Sequence, residues 1–557
     1  MRILTAQQMR DVDRRTTEQH GVPSLQLMEN AGTRVVELLA ERLTDLPQRR
    51  IAVLGGKGNN GGDGLVVARL LHARGCRSLS VFLFALAESM KGDAAVNLKR
   101  WLESGGNLRV VSNETEWAAA RAQVSEAEII IDALLGTGLS GPVEGLLAKV
   151  IADVNEIHAR ERVASPLACP ERSRGATPHS PLVLAVDIPS GVPSDSGEPL
   201  GPAISADCTI TFTAPKIGQL MPPNCERIGE LRVAAIGTPP GMLAEDASLK
   251  LHWLEPGEFA GLPLKRRPGG HKGEYGHALI ISGSRGKTGA AVLCAMGALR
   301  AGAGLVTVAT PERVLPIVAS HVPEMMTEPL TGTDADTLSM RSLDYGRFAE
   351  ITKGKNALAI GPGLSTHTET QQFVRAIVRD SQLPMILDAD GLNAFAGRAV
   401  ELRDHQAPLA VTPHPGEMAR MLGSTSKEVQ ANRLQIALES AVRWNAIVVL
   451  KGYHTIVATP DGRAFINSTG NPGMATGGTG DVLTGMLAGL TAEFASEPWE
   501  RVLGLGVYLH GLAGDIAAEQ TGEQALIATD LVAAIPRAWR QLISVILSVA
   551  KNPSLGS

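Results

Sequence analysis

The chain has 557 residues, and its 52 Lys and Arg against 57 Asp and Glu leave a net charge of −5. That length suits two large α/β units or three to four smaller ones, and the near balance of charge excludes the basic face that broad nucleic-acid binding needs. Sixty glycines beside only 6 Trp, 4 Tyr and 9 Phe favour loops that bring backbone close to phosphates over a stacking surface for single strands. The five cysteines (Cys76, Cys169, Cys208, Cys225 and Cys294) are scattered and form no C-x-x-C pair. This speaks against a disulfide framework or thiolate zinc site and suits a reducing compartment. The first residues lack the apolar core of a signal peptide, and no stretch approaches the ~18 consecutive apolar residues of a membrane span. A soluble, cytoplasmic chain with no membrane partner is expected.

From Arg49 the sequence alternates short β-rich runs with helical patterns. RRIAVLGG, SLSVFLFA, LRVV, IIIDALLG, LVLAVDIPSG, CTITFTAP and ELRVAAIG read as strands. Between them, AAVNLKRWLES sets Leu98, Trp101 and Leu102 on one helical face. Continuous apolar strands separated by helices predict a mainly parallel sheet covered on both faces. One stretch, residues 159–182, holds Pro, Ser and Arg with no apolar period, and reads as a disordered surface insertion. The alternation ends near Gly237, and the Pro- and Gly-rich residues 238–264 read as a linker. A second series follows over 265–545, with strands HALIISGS, LVTVAT, NALAIGPG, PMILDADG, LAVTPHPG and AIVVLKG, then a hairpin TIVATPDGRAFINS turning at its DG pair. No fixed-period repeat relates the halves. Two fused α/β units are expected.

In the first half, VLGGKGNNGGDG follows a strand and opens a helix. Its glycines let the backbone turn tightly, and the helix N-terminus offers free N–H groups to an anion. Asp132 ends the next strand before a flexible loop, Gly136 to Pro142, and AVDIPSGV puts Asp187 and Ser190 at a third strand end. Ligands of open parallel sheets bind at that edge. Asn60, Asp132 and Ser190 are hard oxygen donors suited to an alkali or alkaline-earth cation.

In the second half, NPGMATGGTGDVLTGMLAGL places Gly477, Gly478 and Gly480 before a helix, where their N–H groups can stabilise phosphoryl charge. Asp481 follows in the first turn. A carboxylate there ordinarily contributes a few tenths of a kcal/mol through the helix dipole; beside an anion hole it can instead take the proton of a hydroxyl attacking a phosphoryl group. The loops GPGLS (Gly361 to Ser365), DADGLN (Asp388 to Asn393), TPHPGE (Thr412 to Glu417) and KGYHT (Lys451 to Thr455) end the neighbouring strands. His414 stands on a rigid Pro-flanked turn, and Lys451 ends an apolar strand, where its ammonium can meet a nucleotide phosphate.

GKGNNGGDG, DALLGTGLSGPV, VDIPSG and TFTAPKIG resemble the NAD(P)H-hydrate epimerase family, over residues 1–237. The resemblance implies a Rossmann-like three-layer sandwich that interconverts the R and S epimers of hydrated NADH or NADPH. It implies that Asn59, Asn60, Gly61, Gly62, Asp63, Gly136, Thr137, Gly138, Leu139, Ser140, Gly141, Pro142 and Asp187 hold the hydrated dinucleotide, and that Asn60, Asp132 and Ser190 hold potassium. Epimerisation needs proton or hydroxyl transfer, and Asp187, with Lys216 as a helper, is the expected acid/base.

YGHALIISGS, GALRAGAGLVTVAT, GPGLS, DADGLN, TPHPGE, KGYHT and GNPGMATGGTGDVLTG resemble the ADP/ATP-dependent NAD(P)H-hydrate dehydratases of the ribokinase-like superfamily, over residues 265–545. This implies a three-layer α/β/α domain in which Lys451, Gly452, Tyr453, His454, Thr455 and Gly480 bind ADP, later AMP. Ala290, Gly363, His414 and Asp481 would contact the hydrated cofactor. Ser365 stands where a third glycine is usual after GPGL. Magnesium is expected with the nucleotide phosphates, and ADP rather than ATP follows from the resemblance alone. A small-molecule kinase for a vitamin precursor or sugar, with a non-catalytic nucleotide-binding first half, is the alternative. Whether the chain forms a homo-oligomer stays open.

Overall fold

A computed structural model describes residues 1–159 and 180–551. Its contacts divide the chain into Arg2–Leu249 and a second unit from Lys250 onward together with Met1. Residues 160–179 of the insertion read at 159–182, and Cys169 with them, lie outside the described residues.

The first unit carries β1 (Ile51–Gly55), β2 (Leu79–Leu83), β3 (Arg109–Val110), β4 (Ile129–Ala133), β5 (Leu182–Val186), β6 (Cys208–Phe212) and β7 (Glu230–Ala234). They form one parallel sheet in the order β3-β2-β1-β4-β5-β6-β7. Every strand read from sequence is present. Side chains alternate along each strand, so Ile51 and Val53 enter one apolar core while Ala52 and Leu54 enter the core on the opposite face. Each buried aliphatic side chain contributes about 1.5–3 kcal/mol, and burial on both faces is why these strands read as unbroken apolar runs. The order reverses between β1 and β4, the switch point of a doubly wound Rossmann-like sheet, where the loops after the two strands part to leave a crevice.

The second unit carries β8 (Leu251–Trp253), β9 (His277–Ile281), β10 (Leu305–Pro311), β11 (Met326–Leu330), β12 (Ala357–Ile360), β13 (Met385–Leu387), β14 (Leu409–Val411), β15 (Ile447–Leu450), β16 (Ile456–Ala458) and β17 (Ala464–Ile466). Their order is β11-β10-β9-β12-β13-β14-β15-β16-β17-β8. Strands β9 to β15 are parallel, and the hairpin β16–β17 is antiparallel as expected. Ala278 and Ile280 face a core built with the helices Thr288–Ala301 and Thr479–Glu493, while Leu279 and Ile281 are equally buried on the other face. The second unit is thus a three-layer sandwich too. Its switch point lies between β9 and β12.

Three expectations are corrected. Residues 238–264 are no linker: Met242, in the helix Pro240–Ala244, and Leu249 pack with Leu4, Met9 and Val12 of the first unit, while β8 is an edge strand of the second sheet and Phe259 sits in its core. Leu102 is 49% exposed, because the buried stripe of its helix runs through Ala94, Leu98 and Trp101 and leaves it off the edge. β8 and β11, the two edges of the second sheet, were not among the strands expected; their mixed side chains carry no apolar run. The helix Ala528–Ser548 is long and on average apolar enough to cross a membrane, although Asp530, Arg537 and Arg540 interrupt it, so no run of apolar residues is present there. Its apolar stripe of Leu531, Val532, Ile535, Ala538 and Leu542 is buried in the second core, as in an amphipathic core helix.

Candidate active sites

In the first unit, the loops after β1, β4 and β5 meet at one edge. The helix Asn59–Ala73 begins in the glycine-rich loop, and no side chain caps it. A Cβ on Gly56 would lie 1.9 Å from the Leu134 carbonyl, and one on Gly61 equally close to that of Gly56. Those glycines therefore serve close backbone packing, whereas Gly58, Gly138 and Gly141 face open space.

Packing brings the expected cation ligands together. Ser190 donates from Oγ to Asp132 Oδ1 at 2.5 Å and from its backbone N–H to Oδ2 at 2.7 Å. Asn60 Nδ2 donates to the Leu135 carbonyl at 2.8 Å, while among the described residues its buried Oδ1 has no partner. Burial pushes Asp132 up to about 6 although Ser190 pulls it down. An unpaired amide oxygen beside a buried carboxylate is a set of donors that a cation would complete.

Asp187 follows β5 at φ 62°, a left-handed conformation that turns its carboxylate off the strand. Its Oδ1 accepts from Lys216 Nζ at 2.6 Å and from Thr211 Oγ1 at 3.0 Å, and its carbonyl accepts from Gln219 at 2.6 Å. Lys216 is buried, donating also to Thr211 at 2.7 Å. The expected base and helper are therefore in contact. Asp63, on the helix, is held well above the ordinary carboxylate range by burial and then by the charges of Asp187 and Asp13. Asp13 went unread in the sequence, being one acid among many charges in the helix Ala6–His20.

In the second unit, a cavity of about 390 Å³ opens at the β9/β12 switch point, lined by Ala290, Gly363 and Asp481 together with Lys287, Asp390 and Glu417. Three of the four residues expected to contact the hydrated cofactor thus meet. The fourth, His414, instead caps the helix Pro415–Leu422, its Nδ1 accepting from Gly416 N–H at 3.0 Å, with Nε2 3.4 Å from Glu417. It does not line the cavity; burial and then the Lys451 charge lower its pKa, leaving a neutral ring. Gly363 has φ 65°, and a Cβ there would come within 3.0 Å of Ala290. Ser365 has φ 79°, which explains why glycine suits that position, and its N–H donates to Asp390 at 2.8 Å.

The helix Thr479–Glu493 starts at Gly478 with no side-chain cap, so its first N–H groups are free for an anion, and Gly477 faces open space. Asp481 is pushed up to about 6 by burial and then by the neighbouring Asp388 charge. Lys451 does not stand free: it donates to Asp388 at 2.6 Å and lies 3.7 Å from Glu417. Burial alone would lower its pKa, but those carboxylates hold it above the usual range. Thr484, one turn beyond Asp481, also donates to Asp388 at 2.6 Å. Asp388 and Glu417 therefore organise the site, a role not assigned to them when their loops were read from sequence. In the KGYHT loop, Tyr453 is 52% exposed and stacks on His454 with centroids 4.0 Å apart.

Among the described residues no three His, Cys, Asp or Glu side chains form a metal cage. A groove of about 490 Å³ in the first unit is lined by Glu29, Arg69 and Arg100, apart from the strand-edge loops, and Arg69 already pairs with Glu29 at 2.5 Å.

The profile of the NAD(P)H-hydrate dehydratase family matches residues 278–537, and that of the YjeF-related N-terminus matches residues 24–218. The chain is 43% identical to the bifunctional NAD(P)H-hydrate repair enzyme Nnr of Moorella thermoacetica over 549 residues, 97% of each chain. It is 41% identical to the enzyme of the same name from Thermofilum pendens over 543 residues, again 97% of each. Among solved structures, the ADP/ATP-dependent NAD(P)H-hydrate dehydratase of Bacillus subtilis, co-crystallised with ATP and Mg2+, is 33% identical over 52% of this chain and 98% of its own, with a TM-score of 0.45.

Proposed function

The chain belongs to the family of bifunctional NAD(P)H-hydrate repair enzymes, and on that premise we propose which residues carry its two activities. An epimerase in the N-terminal half interconverts the R and S forms of hydrated NADH or NADPH, and a dehydratase in the C-terminal half restores the reduced cofactor at the expense of an adenine nucleotide. A kinase for a vitamin precursor or sugar has no better support.

For the dehydratase, the observation that carries our reading is Asp481 beside an uncapped helix N-terminus, on the wall of the cavity that Ala290 and Gly363 also line. With a pKa of about 6, Asp481 is ionised at neutral pH yet still basic enough to accept a proton. It takes the proton of the substrate hydroxyl as that oxygen attacks the terminal phosphate of ADP. The N–H groups at Gly477, Gly478 and Gly480 hold the phosphoryl oxygens. The P–O bond to AMP breaks as the phosphoryl group is transferred; the C–O bond then breaks with its electrons leaving on phosphate, and the neighbouring ring carbon gives up a proton to water as the ring double bond re-forms. Lys451, anchored on Asp388, is the side chain that a Cβ on Gly480 would approach, to 3.7 Å, and it orients the nucleotide held by Gly452, Tyr453, His454 and Thr455. Glu417 and Asp390 offer hard oxygens to magnesium arriving with the phosphates.

For the epimerase, Asp187 is the base, oriented by the 2.6 Å contact with Lys216. The dinucleotide lies over Asn59, Gly61, Gly62 and the 136–142 loop. The orphaned Asn60 Oδ1, Asp132 and Ser190 fit potassium and would hold it, and the ion would supply a fixed positive charge there. Both sites act on free small molecules in the cytoplasm. Replacing Asp481 by Asn tests the dehydratase reading: S-epimer conversion should drop at least ~100-fold with nucleotide binding retained. Unchanged turnover would overturn it.

A further inference from the structure

The helix Ala6–His20 is tied to the epimerase site at its start. Leu4, just before it, pairs with Lys216 as an isolated bridge, its N–H donating to the Pro215 carbonyl at 3.0 Å. Met9 and Val12 pack on Ala214. Thr16 Oγ1 lies 3.4 Å from Thr238 Oγ1, which in turn lies 3.3 Å from Thr213 Oγ1, directly after β6. Asp13 sits between Val12 and Thr16. Its Oδ1 is fully buried and, among the described residues, without a partner.

The charges that bear on Asp13 come from three other elements: Lys216 after β6, Asp187 after β5, and Asp63 on the helix Asn59–Ala73. On its own helix, Arg14 pairs outward with Asp11 and Glu18, and Arg15 pairs with Asp246. Three carboxyl groups thus share one ammonium, already engaged by Asp187 at 2.6 Å. All three cannot be ionised together in a buried site, so protons are retained where no cation is bonded.

Inverting one carbon requires a group on each of its faces. A base beside one face can take a proton from arriving water, but the hydroxyl leaving the other face needs an acid. We propose that Asp13 is that acid, a second catalytic residue of the epimerase; this rests on the epimerase site being where Asp187 and Lys216 meet. The Asp13 carboxyl protonates the departing hydroxyl, the C–O bond breaks with its electrons leaving on water, and the ring nitrogen lone pair forms a C=N bond. Water adds to the opposite face and gives its proton to Asp187. The proton then returns from Asp187 to Asp13, so one water leaves, one enters, and no electrons are exchanged with a third partner.

The full chain provides its own control, because conversion of the S epimer to NADH needs only the dehydratase whereas the R epimer needs both sites. Asp13→Asn should slow R conversion on the order of 100-fold, with KM for the R epimer and the S rate unchanged. Burial pushes Asp13 up to about 6, so wild-type epimerisation should fall as pH rises past that value, a limb that D13N removes and Asp13→Glu keeps at a displaced pH. A wild-type R rate in D13N, with Asp187→Asn inactive, would overturn the proposal alone. A wild-type R rate in both variants would overturn the site reading as well. A raised KM at unchanged kcat would make Asp13 a binding residue and overturn the acid role. Should D13N lose its fold, D13E decides: a lowered rate with a shifted limb supports the acid, and a profile identical to wild type overturns it.

Discussion

A carboxylate in the first turn of a helix is ordinarily kept ionised by the helix dipole, yet burial and the Asp388 charge push Asp481 up to about 6. The strain bears on both rate and stability. The base works only when ionised, so dehydration should decline as pH falls through about 6. The folded chain holds this proton up to about 6 whereas the unfolded one releases it near 3.8, so stability from this group is lost as pH rises across that window. The penalty is on the order of 3 kcal/mol above it. Asp481→Asn should therefore be inactive but melt higher than wild type at pH 8 and alike at pH 4; equal melting at pH 8 would show that the carboxylate is not strained. At Asn60 the unpaired Oδ1 predicts that exchanging potassium for a larger organic cation slows R conversion severalfold in wild type, and leaves Asn60→Ala, already slow, unaffected. Asp481 and Asp187 could be read from sequence because each follows a strand end or a glycine run. Asp13 could not, since only the docking of its helix on the segment after β6 sets it apart from the exposed acids around it.

At the scale of elements, glycine spacing decides how closely backbones approach. The helices Thr288–Ala301 and Thr479–Glu493 cross with backbones touching: a Cβ on Gly485 would lie 1.9 Å from the Cys294 carbonyl, and one on Gly489 2.6 Å from that of Ala298. This crossing sets Asp481 opposite Ala290. Gly485→Ala should destabilise the second unit by about 1–3 kcal/mol and cut S conversion tenfold or more, while leaving epimer exchange intact. In the first unit, Gly61→Ala should be destabilising through its contact with Gly56, whereas Gly58→Ala, with nothing within 4 Å, should melt as wild type while weakening dinucleotide binding. Equal melting of these two variants would contradict the packing argument. The strands were legible because burial on both faces makes them apolar throughout. The edge strands β8 and β11 were not, because an edge tolerates polar and charged side chains, and the helix at Pro240–Ala244 was hidden in a stretch whose prolines and glycines resemble a linker.

Across the whole molecule, each sheet reverses its strand order once; the cavity lined by Asp481 opens at the reversal of the second sheet, and the residues expected in the first unit spread over the loops after β1, β4, β5 and β6. The glycine-rich strings that carry the resemblance border those reversals, which is why function was easier to read than the network around it. Lys451 on Asp388, with Glu417 beside it, depends on side chains from strands far apart in sequence. The most direct measurement follows NADH absorbance while the purified chain acts on mixed R and S NADH hydrate with ADP, magnesium and potassium. Complete conversion is predicted for the wild type, a halt after the S fraction for Asp187→Asn, and none for Asp481→Asn. Full conversion by Asp481→Asn would contradict the base at the centre of the dehydratase, and full conversion by Asp187→Asn would contradict the epimerase site.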